Sequence, residues 1–371
     1  MKFLHTADWQ MGMKANHVGE AAAKVREARL DAAQQVVSVA REHGIDFLLV
    51  AGDLFEDNGV EGVLVQQVAD ILAAVGKPVY IIPGNHDPLV PGSVWEHPAW
   101  SGVKHLHVLR QAEPVDLGDA LLFPCPLSEK FSRMDPTSWI DACGESRICI
   151  GLAHGTVEDI PSDDSDFPIP RNAAEERGLD YLALGHWHSK KLYPSSDGAF
   201  RMAYSGTYEA TKFGERDSGN VLIVEISERE ASPRITPVST GTLNWKKIEK
   251  TVQTPDDLDL LVHEIETWQN AERTLLWVVL EGLLFPEARN QLRRMEELLQ
   301  ARFFYGRLDD SGLVPSPNDD TWIDALPAGY LREVAKRLRD QAIADAGDED
   351  DAEIARLALL ELYVIAEEVG R

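Results

Sequence analysis

Five short stretches of this 371-residue chain place cation-binding or proton-moving side chains just after an apolar run. They are TADWQ (Asp8, Gln10), AGD (Asp53), PGNHD (Asn85, His86, Asp87), LAHG (His154) and LGHWH (His186, His188). Two carboxylates (Asp8, Asp53), one amide oxygen (Asn85) and three imidazoles (His154, His186, His188) are too many donors for one tetrahedral zinc. They suit two adjacent, octahedral-leaning cations such as Mn²⁺. Two ions about 4 Å apart can clamp a phosphate, activate a water and stabilise a leaving oxygen. Asp53 is the natural bridge, since a carboxylate has two oxygens and a charge that screens cation–cation repulsion. His86 directly follows Asn85, and both cannot easily face one ion. Its better role is general acid on the leaving oxygen, with Asp87 expected to orient and charge that imidazole. Gln10 is the odd member, standing two places after Asp8 where a metal-binding sequence would more naturally carry a histidine.

The spacing of the apolar runs says how these stretches could meet. KFLHTA (2–7), DFLLVAGD (46–53), PVYIIPGNHD (78–87), ALLF (120–123), RICIGLAHG (147–155) and DYLALGHWH (180–188) read as strands. Helices are expected over 20–43, with Val25, Ala28, Ala32, Val36 and Val39 on one face and Gly44 as the stop, and over 61–75. Strand alternating with helix gives βαβ units and a mostly parallel sheet, whose ligands gather at the carboxyl ends of the strands. The five stretches should therefore converge on one rim. Residues 191–239 read as antiparallel strands, and 156–170 (TVEDIPSDDSDFPIP) as an acidic, Pro-rich surface loop.

A boundary is expected near 240–244. Beyond it the pattern is helix (256–269), strand (275–284), helix (286–301) and FFYGRL (303–308). SGLVPSPNDD (311–320) reads as a linker. Two helical stripes close the chain, Leu331/Val334/Leu338/Ala342 and Ile354/Ala358/Leu362/Ile365/Val369, joined by the polar DAGDEDDAE. The expected domains are thus 1–240, 245–310 and 320–371.

Composition excludes some classes. No apolar run approaches the roughly 18 residues of a membrane span. MKFLHTADW lacks the apolar core of a signal peptide, and three cysteines without ligand spacing suggest a reduced, cytoplasmic setting. The net charge of −26 argues against a basic nucleic-acid scaffold, and the part from Asp309 onward holds −10 of it. A polyanionic partner must use local basic groups or metal ions.

The set D-x-Q…GD…GNHD…H…GHWH is similar to the signature of calcineurin-like metallophosphoesterases. HTADWQMG and AGDLFEDN resemble the DNA-repair exonuclease branch, the SbcD-like nucleases. The resemblance implies an α/β fold: a layered α/β/β/α sandwich over 1–240, a small α/β cap over 245–310, and a helical tail over 320–371 that holds an SMC-like ATPase (SbcC type). It also implies an Mn²⁺-dependent 3′–5′ DNA exonuclease, with endonuclease action in some members, working as a homodimer. Carried over, Asp8, Gln10, Asp53 and His188 would hold one ion. Asp53, Asn85, His154 and His186 would hold the other, and His86 would be the catalytic histidine. Two positions depart from the pattern: Gln10 replaces a histidine, and Glu56 stands where the branch often has His or Asp. Gln10 is a neutral oxygen donor, so its ion should be held less tightly.

Other residues read more plainly. His5 is expected to be a satisfied buried histidine or a partner of a ligand, His17 a loop residue, and His105 and His107 exposed positions on one strand face. Trp9 and Trp187 either wall the site, stack a base or simply pack. Two rival functions remain open from the sequence alone. One is a phosphodiesterase or phosphatase for a small molecule, which the acidity favours. The other is a catalytically weak DNA-binding protein whose first metal site has eroded at Gln10.

Overall fold

The structure, a computed structural model, describes residues 1–160, 166–285, 288–315, 321–343 and 349–370. It divides into two compact units, Met1–Asn244 and Trp245–Arg371.

In the first unit the strands are β1 (Lys2–Thr6), β2 (Phe47–Ala51), β3 (Val79–Ile82), β4 (Leu106–Val108), β5 (Val115–Asp116), β6 (Ala120–Pro124), β7 (Ile148–His154), β8 (Thr156–Val157), β9 (Pro168–Ile169), β10 (Tyr181–Gly185), β11 (Lys191–Pro194), β12 (Phe200–Tyr204), β13 (Asn220–Glu225) and β14 (Arg234–Ser239). The helices are α1 (Ala22–Glu42), α2 (Gly62–Ala73) and the one-turn α3 (Ala173–Glu176). One six-stranded sheet has the order β14-β13-β1-β2-β3-β4, the other β11-β12-β10-β7-β6-β5. In each, the central strands are parallel and an antiparallel strand closes an edge.

Side-chain alternation explains the layering. Along β2, Phe47, Leu49 and Ala51 point between the sheets, where they meet Leu122, Ile150, Leu152 and Tyr181. Leu48 and Val50 point the other way, onto Ala32, Val36 and Val39 of α1 and onto Val65, Val68 and Leu72 of α2. A strand covered on both faces must be apolar throughout, which is why DFLLVA shows no polar alternation. The outer face of the second sheet is covered by α3, by Ile169 of β9 and by loop residues such as Ile140 and Ile160. The result is the α/β/β/α sandwich, with a thin second helical layer. His5 stands between the sheets, as its alternation with Phe3 and Ala7 requires. Its Nδ1 meets the Tyr181 hydroxyl at 2.9 Å and its Nε2 the Leu184 carbonyl at 3.1 Å.

The acidic stretch 156–170 is more ordered at its ends than a surface loop. β8 and β9 pair in parallel there, and Thr156, Val157 and Ile169 are buried. Residues 161–165 of that reading lie outside the described residues.

The second unit contains a three-stranded sheet, β15 (Asn244–Val252, whose first residue closes the first unit), β16 (Thr274–Leu284) and β17 (Tyr305–Pro315), in that order. It packs on α4 (Pro255–Glu266) and α5 (Arg289–Arg302) through Leu258, Leu261, Ile265, Leu276, Val278, Leu280 and Met295. β15 has no counterpart in the sequence reading, because NWKKIEKTV is exposed at most positions and lacks an apolar run. Residues 311–315 of the expected linker belong to β17; 316–320 lie outside the described residues. Then come α6 (Thr321–Ala325), α7 (Tyr330–Ile343) and α8 (Glu349–Gly370). Each of the two expected stripes is part buried and part exposed. The core here is Ile323, Ala335 and Leu359, with Trp322, Leu326, Leu338 and Leu362 packed against it, while Leu331, Ile354 and Ile365 are exposed. Ala342 of the first stripe is buried, as are Ala335, Ala352 and Ala355 outside the stripes. Residues 344–348 and the side chain of Val369 lie outside the described set. Among the described residues no helix is long and apolar enough to cross a membrane.

Candidate metal centre

The five motif stretches all leave the carboxyl ends of parallel strands: Asp8 after β1, Asp53 after β2, Asn85 and His86 after β3, His154 at the end of β7, and His186 and His188 after β10. The rim spans both sheets, and the sheets approach closely there. A Cβ on Gly185 would lie 1.9 Å from the Ala51 carbonyl oxygen and 2.8 Å from His154 Nδ1, so only glycine fits between β2 and β10. Backbone geometry then aims the donors. Of the nine non-glycine residues with positive φ among the described residues, four are Asp8 (54°), Gln10 (45°), Asp53 (51°) and His186 (106°). Such left-handed conformations cost roughly 1–3 kcal/mol each and persist where the surroundings over-determine them. Trp9, between two of these residues, turns into the core. It is fully buried, packs 4.7 Å from Tyr208 and donates Nε1–H to Thr6 Oγ1. It is therefore a packing residue, whereas Trp187 is 37% exposed beside the rim.

Asp53, Asn85, His154 and His186 form one group. His154 donates Nδ1–H to the Ala51 carbonyl (2.8 Å), which fixes the ring, and its Nε2 lies 2.8 Å from Asn85 Oδ1 and 3.4 Å from Asp53 Oδ2. His186 Nδ1 reaches the same Asn85 oxygen at 3.1 Å. Asp53 Oδ1 accepts the His86 backbone N–H at 2.9 Å. Ligand atoms of Asp8, Asp53 and His154 all fall within 4.8 Å of one another, and all three residues are buried.

Asp8, Gln10 and His188 make the other flank. Both Asp8 oxygens accept the His186 backbone N–H (2.9 and 3.1 Å). Gln10 is buried and directs its Nε2 at Asp53 Oδ2, 3.0 Å away; a half-turn of the amide would bring Oε1 there instead. His188 Nδ1 is 2.8 Å from Glu215 Oε1, leaving Nε2 as its available donor atom. Glu215 is one residue that sequence reasoning missed. It also accepts from the backbone N–H (2.8 Å) and hydroxyl of Thr211, so its carboxylate is fixed before it holds the imidazole. Arg29 of α1 was missed too. It is buried and donates to the carbonyls of Trp9, Glu209 (3.0 Å) and Ala210 (3.2 Å), which ties the Asp8–Gln10 turn to the loop that carries Glu215. The one visible signal for Arg29 was a charge on the apolar face of α1. Glu215, in KFGERDSG, gave none.

The electrostatics show what the cluster is suited to hold. Burial pushes the Asp8 carboxyl up to about 6, with the Asp53 charge adding to it and His154 and His188 opposing. Burial also works against the Asp53 charge, but the adjacent His154 imidazolium wins and holds Asp53 below the usual carboxylate range. Burial would lower His154; Asp53 outweighs it and raises the imidazole to about 9. His186, desolvated and beside that cation, falls to about 3. His188 is raised, because its hydrogen bond to Glu215 and the Asp8 charge outweigh burial. The His154 proton thus lies among Asn85 Oδ1, Asp53 Oδ2 and the Asp8 carboxylate, doing what a divalent cation would do better. Buried carboxylates and imidazole nitrogens facing one small volume fit a hard or borderline divalent ion.

His86 sits beside this group, with Nδ1 at 2.9 Å from the Glu56 backbone carbonyl. A carbonyl can only accept, so Nδ1 bears hydrogen and Nε2 is left to exchange a proton. Asp87 does not perform the orienting role expected of it. Its two oxygens accept the backbone N–H groups of Phe55 (2.9 Å) and Gly84 (2.7 Å), and burial, with the Asp53 charge, pushes it up to about 7. Neighbours in a tight turn face opposite ways, so Asp87 braces the turn from behind while His86 faces the rim. Glu56 contributes that backbone oxygen. Neither histidine of KHLHVL is freely exposed. His105 bonds the Ala73 carbonyl at 2.9 Å from a turn ahead of β4, and His107 stacks on Tyr80 at 5.0 Å. His17 is exposed on a short 3₁₀ turn.

Comparison with known proteins agrees with this geometry. The family described as calcineurin-like phosphoesterase matches residues 1–190. Relatives include the metallophosphoesterase YhaO of Bacillus subtilis, named as uncharacterised, at 23% identity over 62% of this chain and 59% of that protein. The DNA double-strand break repair protein Mre11 of Saccharolobus solfataricus is 24% identical over 76% of this chain and 75% of its own length. A component of the nuclease SbcCD of Staphylococcus epidermidis is 24% identical over 58% of this chain and 63% of its own length. Members of the family bind divalent metals and cleave phosphoesters, and with half of its length matched and a buried Asp8–Asp53–His154 cluster at the shared rim, this chain belongs to the calcineurin-like phosphoesterases.

Proposed function

We propose that the protein is an Mn²⁺-dependent DNA nuclease, a 3′–5′ exonuclease with endonuclease action as a second activity, whose centre holds two ions. The observation that carries the two-ion reading is the place of Asp53. One of its oxygens faces Gln10 and His154, and a ligand atom of Asp53 lies within 4.8 Å of one on Asp8. Asp8, Gln10, Asp53 and His188 would hold one ion; Asp53, Asn85, His154 and His186 the other. When bound, the ions supply electrophilic stabilisation of phosphoryl oxygens and lower the pKa of water. The chain's own residues do the rest. His86 Nε2 delivers a proton to the leaving oxygen while the Glu56 carbonyl holds Nδ1–H in place. The Asp87 carboxyl braces the turn beneath it. Glu215 keeps His188 Nε2 directed inward.

The substrate class rests on the Mre11 and SbcCD relatives. By the same analogy an SMC-like ATPase is the proposed partner, 245–310 a cap domain and 320–371 the partner-binding tail, with a homodimer as the assembly and the cytoplasm as the compartment. The test is purified protein with Mn²⁺ on linear duplex DNA, against His86→Ala. Mn²⁺-dependent shortening by the native protein, lost in the variant, is expected. Equal loss of DNA with both proteins, or turnover of cyclic nucleotides alone, contradicts the reading.

A further inference from the structure

We infer that the loop Ser128–Met134 beside the metal centre is a nucleobase-stacking clamp, with Phe131 and Met134 taking an unpaired base and Lys130 and Arg133 the flanking phosphates. The inference rests on the nucleic-acid reading above and adds to it a specific contact.

Four observations carry it. First, Phe131 (66%) and Met134 (74%) are held out in solvent, three residues apart. Neither side chain contributes to the core, so both are available to meet a ligand. Second, the loop is fixed, so their exposure is built in. Ser132, between them, donates its backbone N–H to Asp166 Oδ1 (2.8 Å) and accepts the Phe167 N–H at its carbonyl (2.9 Å). At the far end, Asp135 accepts from Thr137 and from Arg177 (3.1 Å). A loop pinned at its middle and at one end presents the residues beside the pin outward at little further entropic cost.

Third, the pins lead to the metal centre. Leu127, just before the loop, donates to the Pro83 carbonyl (3.2 Å) and accepts from Leu89 (2.8 Å), so it lies against the turn that carries Asn85 and His86. Phe167 packs on Gly155, the neighbour of His154, so closely that a Cβ there would lie 2.2 Å from the Phe167 carbonyl oxygen. Loop and ligands are therefore joined through both the β3 and the β7 rims. Fourth, the charge suits a polyanion. Lys130 and Arg133 are exposed, and neither makes an ion pair among the described residues; Lys130 Nζ lies 5.7 Å from the Phe131 ring centroid. Glu129 is also exposed and Asp166 lies on Ser132, so the two cations stand out as a local unpaired pair and not as a net positive field. Local positive charge beside an aromatic face is what single-stranded nucleic acid requires. A stack between Phe131 and the last base would grip the unpaired strand while the scissile phosphate sits over Asp53 and His86.

The test uses the full chain, a single-stranded oligonucleotide with a terminal 2-aminopurine, and bis(p-nitrophenyl) phosphate as a diester without a base. Native protein is expected to quench the 2-aminopurine on binding. Phe131→Ala should lose the quench and raise Kd and KM for the oligonucleotide about tenfold, roughly the weight of one base–aromatic stack. Its turnover of the small diester should be unchanged. Phe131→Trp should restore the quench. Lys130→Ala with Arg133→Ala should flatten the salt dependence of binding. Unchanged Kd and quench in Phe131→Ala/Met134→Ala overturn the clamp and leave a protein-docking surface as the reading of that patch. If native protein turns over the small diester but binds no oligonucleotide, the nucleic-acid reading falls and the clamp with it. If it binds and quenches but cleaves neither substrate, the clamp stands and the nuclease reading falls.

Discussion

The two flanks of the metal centre are built differently. On one, Asn85, His154 and His186 are held by groups that are themselves part of the sandwich: a β2 carbonyl fixes His154, and one amide oxygen serves both imidazoles. On the other, His188 depends on Glu215 from a loop after β12, and Gln10 offers a neutral amide that now points its nitrogen at Asp53. The first flank is preorganised by the fold. The second is assembled by side chains that must be held from outside and, for Gln10, turned round. The difference teaches that an ion at the first flank should bind tightly and early, and an ion at the second weakly and last.

The largest test removes what the flanks share. Asp53→Asn should abolish high-affinity binding of both ions and lower phosphodiesterase activity at least ~10³-fold, a loss in keeping with removal of electrostatic stabilisation at a reacting centre; calorimetric metal titration and turnover check it. If one ion still binds tightly, the flanks are independent and the shared-ligand account fails. Next, Glu215→Gln should cost the second flank alone roughly 10–100-fold in metal affinity, the usual weight of a residue that orients a ligand. A loss at both ions, or at neither, would erase the contrast. Gln10→His should tighten that same ion by about tenfold, or ~1.4 kcal/mol, and raise activity at low Mn²⁺. No change in affinity or rate would remove Gln10 from the ligands.

The smallest effect is on stability. Metal-free His154 keeps its proton to about 9 against 6.5 for a free imidazole. Its contribution to folding is therefore whole below pH 6.5 and is lost as pH rises through 9. Asp87, raised from 3.8 to about 7, loses its contribution over that lower span, in the same direction. Thermal unfolding of metal-free protein should accordingly drop by a few degrees between pH 6.5 and 9. The rise in Tm on adding Mn²⁺ should grow over the same window, as the metal ceases to compete with the His154 proton. A flat profile would mean that His154 is not the protonated centre of the first flank.

What could be read from the sequence follows the same division. Strands such as DFLLVA and ICIGLAH were legible because burial on both faces leaves a continuous apolar run. The side chains gathered at the rim were legible because each follows such a run directly. The supports were not. Glu215 serves a histidine 27 residues earlier, and no local pattern links them. Asp87 was misread because adjacency to His86 suggested contact, whereas the turn sends the two side chains apart. β15 was invisible because its charged, largely exposed residues carry no apolar signal. The helices after 320 showed stripes, of which Leu338, Ala342 and Leu362 pack inward while Leu331, Ile354 and Ile365 are exposed.

The most direct test of the unequal two-ion centre is a titration of metal-free protein with Mn²⁺, following free Mn²⁺ by electron paramagnetic resonance. The account predicts two ions per chain, the second bound at least about tenfold more weakly than the first, with activity rising only as the second site fills. One ion at saturation, or full activity at one equivalent, would contradict it.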